Sequence, residues 1–374
     1  MFLSNFSLEA YRNYSDLTVD FSPNVNIFLG QNAQGKTNLL ESIYFLGLTR
    51  SHRTSNDKDL IRFENDFARI KGHLNQSQME LDLEVRITNK GKIAYINHLE
   101  QAKLSNYIGK MTAILFSPED LNLIKGAPSV RRRFMDLEFG QISSEYLYFL
   151  SQYRQVLKQK NNYLKQLSFK KANDLVFLEV LSDQLAGLGA EIIHYRLKLL
   201  SQLNEKSRIA HKELSNTSEE LELKYSSNGI EFDSDSTVES MYQQLLSAYE
   251  NNQAKEVRTG TTLVGPHRDD IQFTINGQDA HLFGSQGQQR TVVLSIKLAE
   301  VQLIHEITGE YPILLLDDVM SELDVTRQTA LLNYIYGKTQ TFITTTDLDG
   351  ISWEIIKKPK IFNIANGTLA PFES

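Results

Sequence analysis

Val25-Asn26-Ile27-Phe28-Leu29-Gly30-Gln31-Asn32-Ala33-Gln34-Gly35-Lys36-Thr37-Asn38 is the run of residues whose reading decides the fold. Its first five residues make a short apolar strand and residues 38–48 an apolar-rich helical stretch, so a G-x-x-x-x-G-K-[ST] loop lies between strand and helix. Glycine permits the tight turns that aim successive backbone N–H groups at one point, and the positive end of the following helix favours an anion there. A phosphate-binding loop is expected, with Gly30, Gln31, Asn32, Ala33, Gln34, Gly35, Lys36, Thr37 and Asn38 as its nucleotide-binding residues. Lys36 is placed for the β- and γ-phosphates of ATP, and Thr37 for a Mg2+ ion.

Its chemical complement stands far along the chain. Pro312-Ile313-Leu314-Leu315-Leu316 is a buried-strand run that ends abruptly in Asp317 and Asp318. In a parallel sheet such a strand carries its functional residues at the carboxyl end, beside a phosphate loop. Asp317 is thereby a candidate Mg2+ ligand with Thr37, and Asp318 joins Lys36 as a candidate catalytic residue, orienting and deprotonating the attacking water. Before that strand, Gly284-Ser285-Gln286-Gly287-Gln288-Gln289-Arg290 opens a long helix over residues 286–308, with Ser285 as its N-cap. A hydroxyl, a close-approaching glycine backbone and a helix N-terminus all suit an anion, so Ser285, Gly287 and Gln288 are further candidate nucleotide contacts. Phe342-Ile343-Thr344-Thr345-Thr346-Asp347 reads as one more apolar strand with a polar end.

Composition bounds what these motifs can mean. The 374 residues are 41% hydrophobic and 23% charged, enough for one large core or two. A formal net charge of −7 argues against a protein that simply coats nucleic acid, so any such surface is local. The absence of cysteine excludes disulfides and Cys-ligated zinc or iron–sulfur sites, and the eight histidines are scattered rather than clustered as zinc ligands. Residues 1–10 lack the basic start and apolar stretch of a signal peptide, and no segment approaches the roughly 18 apolar residues of a membrane span. A soluble, cytoplasmic chain is expected.

Periodicity divides the chain in three. Residues 2–112 alternate apolar and polar as in a mixed sheet, interrupted by the helix after Lys36. From Pro128 to Asn252 the period lengthens: Leu178, Leu181, Leu185, Leu188, Ile192, Tyr195 and Leu199 form a coiled-coil seam. A second seam runs Phe149, Tyr153, Val156, Tyr163 and Leu167, with Lys160 where an apolar residue is expected. Residues 216–240 read as a loop and hairpin turning at Asn228-Gly229, and Ile271–Ile275 as a strand entering an Asn276-Gly277 hairpin. The expected organisation is α/β, with residues 1–125 and 259–374 as two parts of one head split by a helical insertion over residues 126–258.

Together the phosphate loop, Ser51-His52-Arg53, Phe116-Ser117-Pro118-Glu119-Asp120, Arg131-Arg132-Arg133-Phe134, Gly265-Pro266-His267-Arg268-Asp269, Ser285 to Arg290, Leu316-Asp317-Asp318 and Ile343 to Asp347 resemble the RecF family, in order and across nearly the whole chain. The Ser285 segment is similar to the signature of the ABC ATPase superfamily, which touches the γ-phosphate of ATP held by the opposite protomer; Ser321-Glu322-Leu323-Asp324 is similar to the loop after its acidic strand. What the resemblance implies is an ABC/SMC-type P-loop ATPase head with a short helical second domain, slow ATP hydrolysis and an ATP-dependent homodimer. It also implies binding to gapped and junction single- and double-stranded DNA, and work with RecO and RecR in loading RecA. Two departures from the ABC pattern bear on mechanism. Asp318 stands where that superfamily has Glu, one methylene shorter, and no switch histidine follows Thr345, leaving Thr346 or Asp347 for the γ-phosphate region. Glu119 or Asp120 substitutes for the usual γ-phosphate-sensing Gln.

Arg154, Lys158, Lys160, Lys165, Lys170 and Lys171 crowd into residues 151–171 with no acidic residue among them, behind the Arg131, Arg132 and Arg133 cluster. A local basic patch suffices for phosphate contacts, although solvated lysines on a helix, or pairing of the arginines with Asp136 or Glu138, explain the same pattern. Arg53 is a further candidate contact to nucleotide or DNA. Two other functions share the head chemistry: an SMC-like DNA tether, whose arms are far longer than the stretch from Pro128 to Thr259, and an ABC ATPase subunit that does not act on DNA.

Overall fold

The computed structural model describes residues 1–215, 219–227, 229–232, 235–348, 356 and 359–372. These separate into a unit of residues 1–120 with 297–374 and a unit of residues 121–296, the division falling inside one long helix.

The first unit contains β1 (Phe2–Tyr11), β2 (Tyr14–Asp20), β3 (Val25–Leu29), α1 (Lys36–Leu48), β4 (Phe67–Asn75), β5 (Glu80–Thr88), β6 (Gly91–Ile96), β7 (Leu99–Glu100) and β8 (Ala113–Phe116). Strands β2-β1-β4-β5-β6-β7 pair antiparallel in one sheet. Their alternation is the sequence pattern made physical: Leu3, Phe6 and Leu8 of β1 and Ala68, Ile70 and Leu74 of β4 point inward, while charged neighbours face out. Helix α1 packs against strands of both sheets of this unit, which is why every residue from Leu39 to Leu48 is buried and why its apolar residues are not confined to one stripe.

The second unit carries α2 (Asn122–Lys125), α3 (Pro128–Ile142), α4 (Ser144–Ser168), α5 (Leu175–Ser215), β9 (Leu221–Ser226), α6 (Val238–Thr259), β10 (Asp270–Ile275), β11 (Gln278–Asp279), α7 (Ala280–Phe283) and the start of α8 (Gln286–Thr308). The long seam belongs to α5, a single helix of 41 residues with Leu178, Leu181, Leu185, Ile192 and Leu199 buried. Helices α4 and α6 pack on it. Lys160 interrupts the α4 seam yet is buried, because its Nζ meets Glu256 of α6 at 2.9 Å and stands 3.9 Å from the centroid of the Tyr249 ring. This corrects its assignment to a DNA surface: the ammonium is consumed inside the bundle.

Two further expectations change. The Asn276-Gly277 hairpin is present, with both residues at positive φ; among the described residues of 216–240 the strand β9 pairs with the distant β10, while Asn228, the turn residue expected there, lies outside the described residues. That long-range pairing ties β10, α7 and the Ser285 turn to the helical unit, which therefore runs to residue 296 and does not end at 258.

The chain re-enters the first unit through α8 and completes it with β12 (Ile313–Asp317), α9 (Val325–Ile335), β13 (Thr341–Thr345), β14 (Lys360–Ala365) and β15 (Thr368–Pro371). The second sheet has the order β15-β14-β3-β13-β12-β8, with all neighbours parallel except β14 and β15. Phe21, Phe28, Phe342 and Phe362 cluster on it with ring centroids 4.7–6.0 Å apart. No helix among the described residues is long and apolar enough to cross a membrane.

Candidate functional site

Adjacent parallel strands β3, β13 and β12 bring the ends of three distant segments together, since Leu29 pairs with Thr345 and Asp317 with Thr344. The loop after β3 turns through Ala33 at φ 64° and Gly35 at φ 117°, and it is the latter angle that in practice requires glycine. A Cβ on Gly35 would stand 2.6 Å from Asn13 Nδ2, and one on Gly30 would stand 2.4 Å from the Ile364 carbonyl oxygen. Lys36 folds back so that Nζ donates to the carbonyls of Gly30 at 2.6 Å and Gln31 at 3.2 Å, inside the curve of the loop. Burial pushes its pKa down, while Asp318 and Asp317 hold it up. Gln31, Asn32 and Ala33 are exposed at the rim.

Asp317 closes the site. Its Oδ1 accepts from Thr37 Oγ1 at 3.0 Å and from Thr344 Oγ1 at 2.9 Å. Burial raises the Asp317 pKa and those two donors restrain the rise. Asp318, the next residue, adopts a left-handed φ of 53°, a region that Asp tolerates better than most residues; its N–H donates to Thr344 Oγ1 at 2.9 Å and its carbonyl accepts from Ser321 Oγ. Thr344 thus serves both aspartates. The sequence placed it at a strand end without revealing that role, which only the β12–β13 register discloses.

A second layer supports the loop. Asn13 Nδ2 donates to the Gln34 carbonyl and Asn13 Oδ1 accepts from Asn38; Tyr14 donates to the Gly35 carbonyl; Asn366 and Gly367 N–H groups bond the side chain and backbone of Gln34. On α1, Glu41 is buried and receives Arg12 through two bonds of 3.0 Å and Ser51 at 2.5 Å. Burial would raise its pKa, but these donors bring it below the ordinary value. Arg53 donates to Asn38 Oδ1 at 2.8 Å and lies 3.8 Å from Glu41, so it is anchored beside the phosphate loop. No signal in the sequence distinguished Asn13, Arg12 or Glu41.

Thr37 and Asp317 fit the needs of Mg2+, a hard cation that takes one or two protein oxygens and completes its shell with phosphates and water. Among the described residues no group of three or more His, Asp or Glu could hold a metal by itself. Glu119 and Thr346 are exposed and Asp347 is exposed; Asp120 accepts the Ser117 N–H at 2.8 Å, and its pKa is raised by burial.

In the helical unit Ser285 and Gln288 form a reciprocal cap. The Gln288 N–H donates to Ser285 Oγ at 3.2 Å and the Ser285 N–H to Gln288 Oε1 at 2.8 Å, while Ser285, Gln286 and Gly287 remain exposed. The arginine cluster is partly engaged in structure. Arg131 grips Asp270 through Nε at 2.6 Å and Nη2 at 2.8 Å, and Arg132 donates to the Asp269 carbonyl. Asp136 receives Arg154 at 2.7 Å and the buried Arg196 at 2.9 Å. Arg133, Lys158, Lys165, Lys170 and Lys171 are exposed.

Residues 2–354 match the family model described as the RecF/RecN/SMC N terminal domain. A DNA replication and repair protein RecF from Lactobacillus johnsonii is 64% identical over 374 residues, covering 100% of both chains. A solved structure of the recombination mediator RecF with ATP, of the RecFOR pathway, is 32% identical, covers 100% of this chain and 98% of that one, and superposes with a TM-score of 0.92. An Smc head domain with an extended coiled coil from Pyrococcus furiosus is 15% identical, covers 98% of this chain and 95% of that one, and shares the fold at a TM-score of 0.53.

Proposed function

This chain belongs to the RecF family of DNA replication and repair proteins, within the wider RecF/RecN/SMC group of ATPase heads, and we propose that it is an ATP-dependent DNA-binding protein that dimerises around ATP. What supports the reading most is the meeting of Lys36, Thr37, Asp317 and Thr344 at the ends of three parallel strands. Loop amides and Lys36 hold the β- and γ-phosphates. Mg2+, held by Thr37 and Asp317, would neutralise charge on those phosphates. Asp318 orients a water and takes its proton as the γ-phosphate is cleaved, giving ADP and phosphate. Its short side chain leaves turnover slow.

The exposed Ser285 turn is the edge offered to a second copy. With two-fold symmetry each copy supplies a phosphate loop to one ATP and a Ser285 helix to the other. ATP then stabilises the dimer by mass action and hydrolysis releases it, so the ATPase is a switch. DNA, at gaps and single-/double-strand junctions, is held by structure-selective backbone contacts through Arg133, Lys158 and Lys165 of the helical unit, supported by their exposure, with Arg53 a separate candidate contact on the first unit. RecR, with RecO and RecA, is the partner set that family membership suggests. In a test by gel shift, ATP with Mg2+ should tighten binding to a gapped duplex, and Lys36→Ala should abolish that gain and single-protomer ATP binding. Equal affinity for gapped duplex with and without ATP would sink the proposal.

A further inference from the structure

A polar chain joins the end of α5 to the start of α8, and the phosphate chemistry leaves it unused. His211 of α5 is fully buried; its Nε2 lies 3.2 Å from Glu219 Oε2 and its Nδ1 lies 3.1 Å from Ser295 Oγ. Burial disfavours the charged ring and Glu219 opposes that; the carboxylate can only accept, so Nε2–H donates to Glu219, while Nδ1 faces a Ser295 oxygen whose own hydroxyl donates to the Thr291 carbonyl at 2.6 Å. The other carboxylate oxygen, Glu219 Oε1, accepts from Gln288 Nε2 at 2.9 Å. Gln288 is the residue whose Oε1 accepts the Ser285 N–H and whose own N–H bonds the Ser285 hydroxyl. All of these residues lie in the helical unit.

An exposed turn with a single reciprocal cap is poorly fixed, because a glutamine side chain that loses its far partner can rotate and release the cap. A carboxylate acceptor is stronger than a neutral one and here is itself gripped by a buried ring. We propose that Glu219, clamped by His211, is a positioning residue that fixes the Gln288 amide and so keeps the Ser285 hydroxyl and the α8 N-terminus aimed at the γ-phosphate carried by a second copy. This rests on the composite ATP site proposed above and adds to it a residue from outside every motif of the head. It also means that the tail of the long helix α5 bears on the γ-phosphate edge through Glu219 and Gln288.

Glu219→Ala should leave ATP binding by single protomers unchanged. It should raise the protein concentration for half-dimerisation with ATP by about tenfold, the effect of losing one hydrogen bond to a charged group. Glu219→Gln, which keeps an acceptor for Gln288, should recover most of the loss. A merely structural role would not move the second readout: amide hydrogen exchange without ATP should speed up at Ser285 and Gln288 in Glu219→Ala while the buried part of α8 stays protected. If Glu219→Ala unfolds, Glu219→Leu, which keeps the volume beside His211, takes its place in both measurements. Ser285→Arg is the control. Dimers of Ser285→Arg with ATP would overturn the composite site itself. No dimers of that variant, together with wild-type dimerisation and unchanged Ser285 exchange in the Glu219 variants, would overturn the role of Glu219 alone.

Discussion

Lys160→Met would leave Glu256 as a buried carboxylate without its cation. The pair is separated by 2.9 Å and each side chain is 1% exposed, so neither charge is compensated by solvent. Burial pushes the Lys160 pKa down and Glu256 opposes that fall. Removing one member of such a pair costs about 3–5 kcal/mol, and methionine keeps the volume of the stem against Tyr249, so the loss is not that of a cavity. Glu256 Oε1 also accepts the Leu263 N–H at 2.8 Å, a bond that glutamine can retain. Lys160→Met with Glu256→Gln should therefore recover all but about 1 kcal/mol, giving a coupling of at least about 2 kcal/mol in a double-mutant cycle. Urea unfolding of the helical unit followed by circular dichroism measures it. A Lys160→Met protein within about 0.5 kcal/mol of the native chain would refute the buried pair. So would a fall of about 1 in the salt slope of DNA binding by the stable double variant, because that slope counts phosphate contacts.

Lys158→Ala and Lys165→Ala, at exposed positions, should each lower that salt slope by about 1 while leaving ATP-driven dimerisation intact, as read by gel shift across a salt series. Gly35→Ala places a Cβ 2.6 Å from Asn13 Nδ2 at a φ of +117°, and should weaken ATP binding at least about tenfold by calorimetry; unchanged affinity would count against the loop geometry. Burial lowers the His267 pKa from 6.5 to about 4, so the unfolded chain takes up its proton first. Stability of the helical unit should fall as pH drops from about 6.5 towards 4, by about 3 kcal/mol at most, and His267→Gln should flatten the pH dependence of the urea midpoint.

The phosphate loop and acidic strand were legible because local sequence dictates them: a glycine pattern, a lysine and a run of apolar residues act within a few residues of themselves. The α5 seam was legible for the same reason, as its period is local. What the sequence concealed depends on register and long-range pairing. Thr344 gains its role only because β12 and β13 align Asp317 with Thr344. Strand β9 looks like part of a local hairpin in the sequence because its partner, β10, is far away in the chain. A lysine at a seam position looks solvated until the facing helix is known to offer Glu256, and Arg131 looks free until Asp270 arrives beside it. Charge patterns report which residues need a partner, and the fold decides whether that partner is protein, water or DNA.

The most direct test of two copies sharing each nucleotide is to mix Lys36→Ala with Ser285→Arg and measure ATP turnover. Each variant alone should be inactive, the first for want of a phosphate loop and the second for want of its partner's cap. Mixed, they should form one intact site per heterodimer, from the loop of the Ser285→Arg copy and the Ser285 helix of the Lys36→Ala copy, and turnover should return in part. Full turnover by Ser285→Arg alone, or none in a mixture shown to contain heterodimers, would contradict a nucleotide held between two chains.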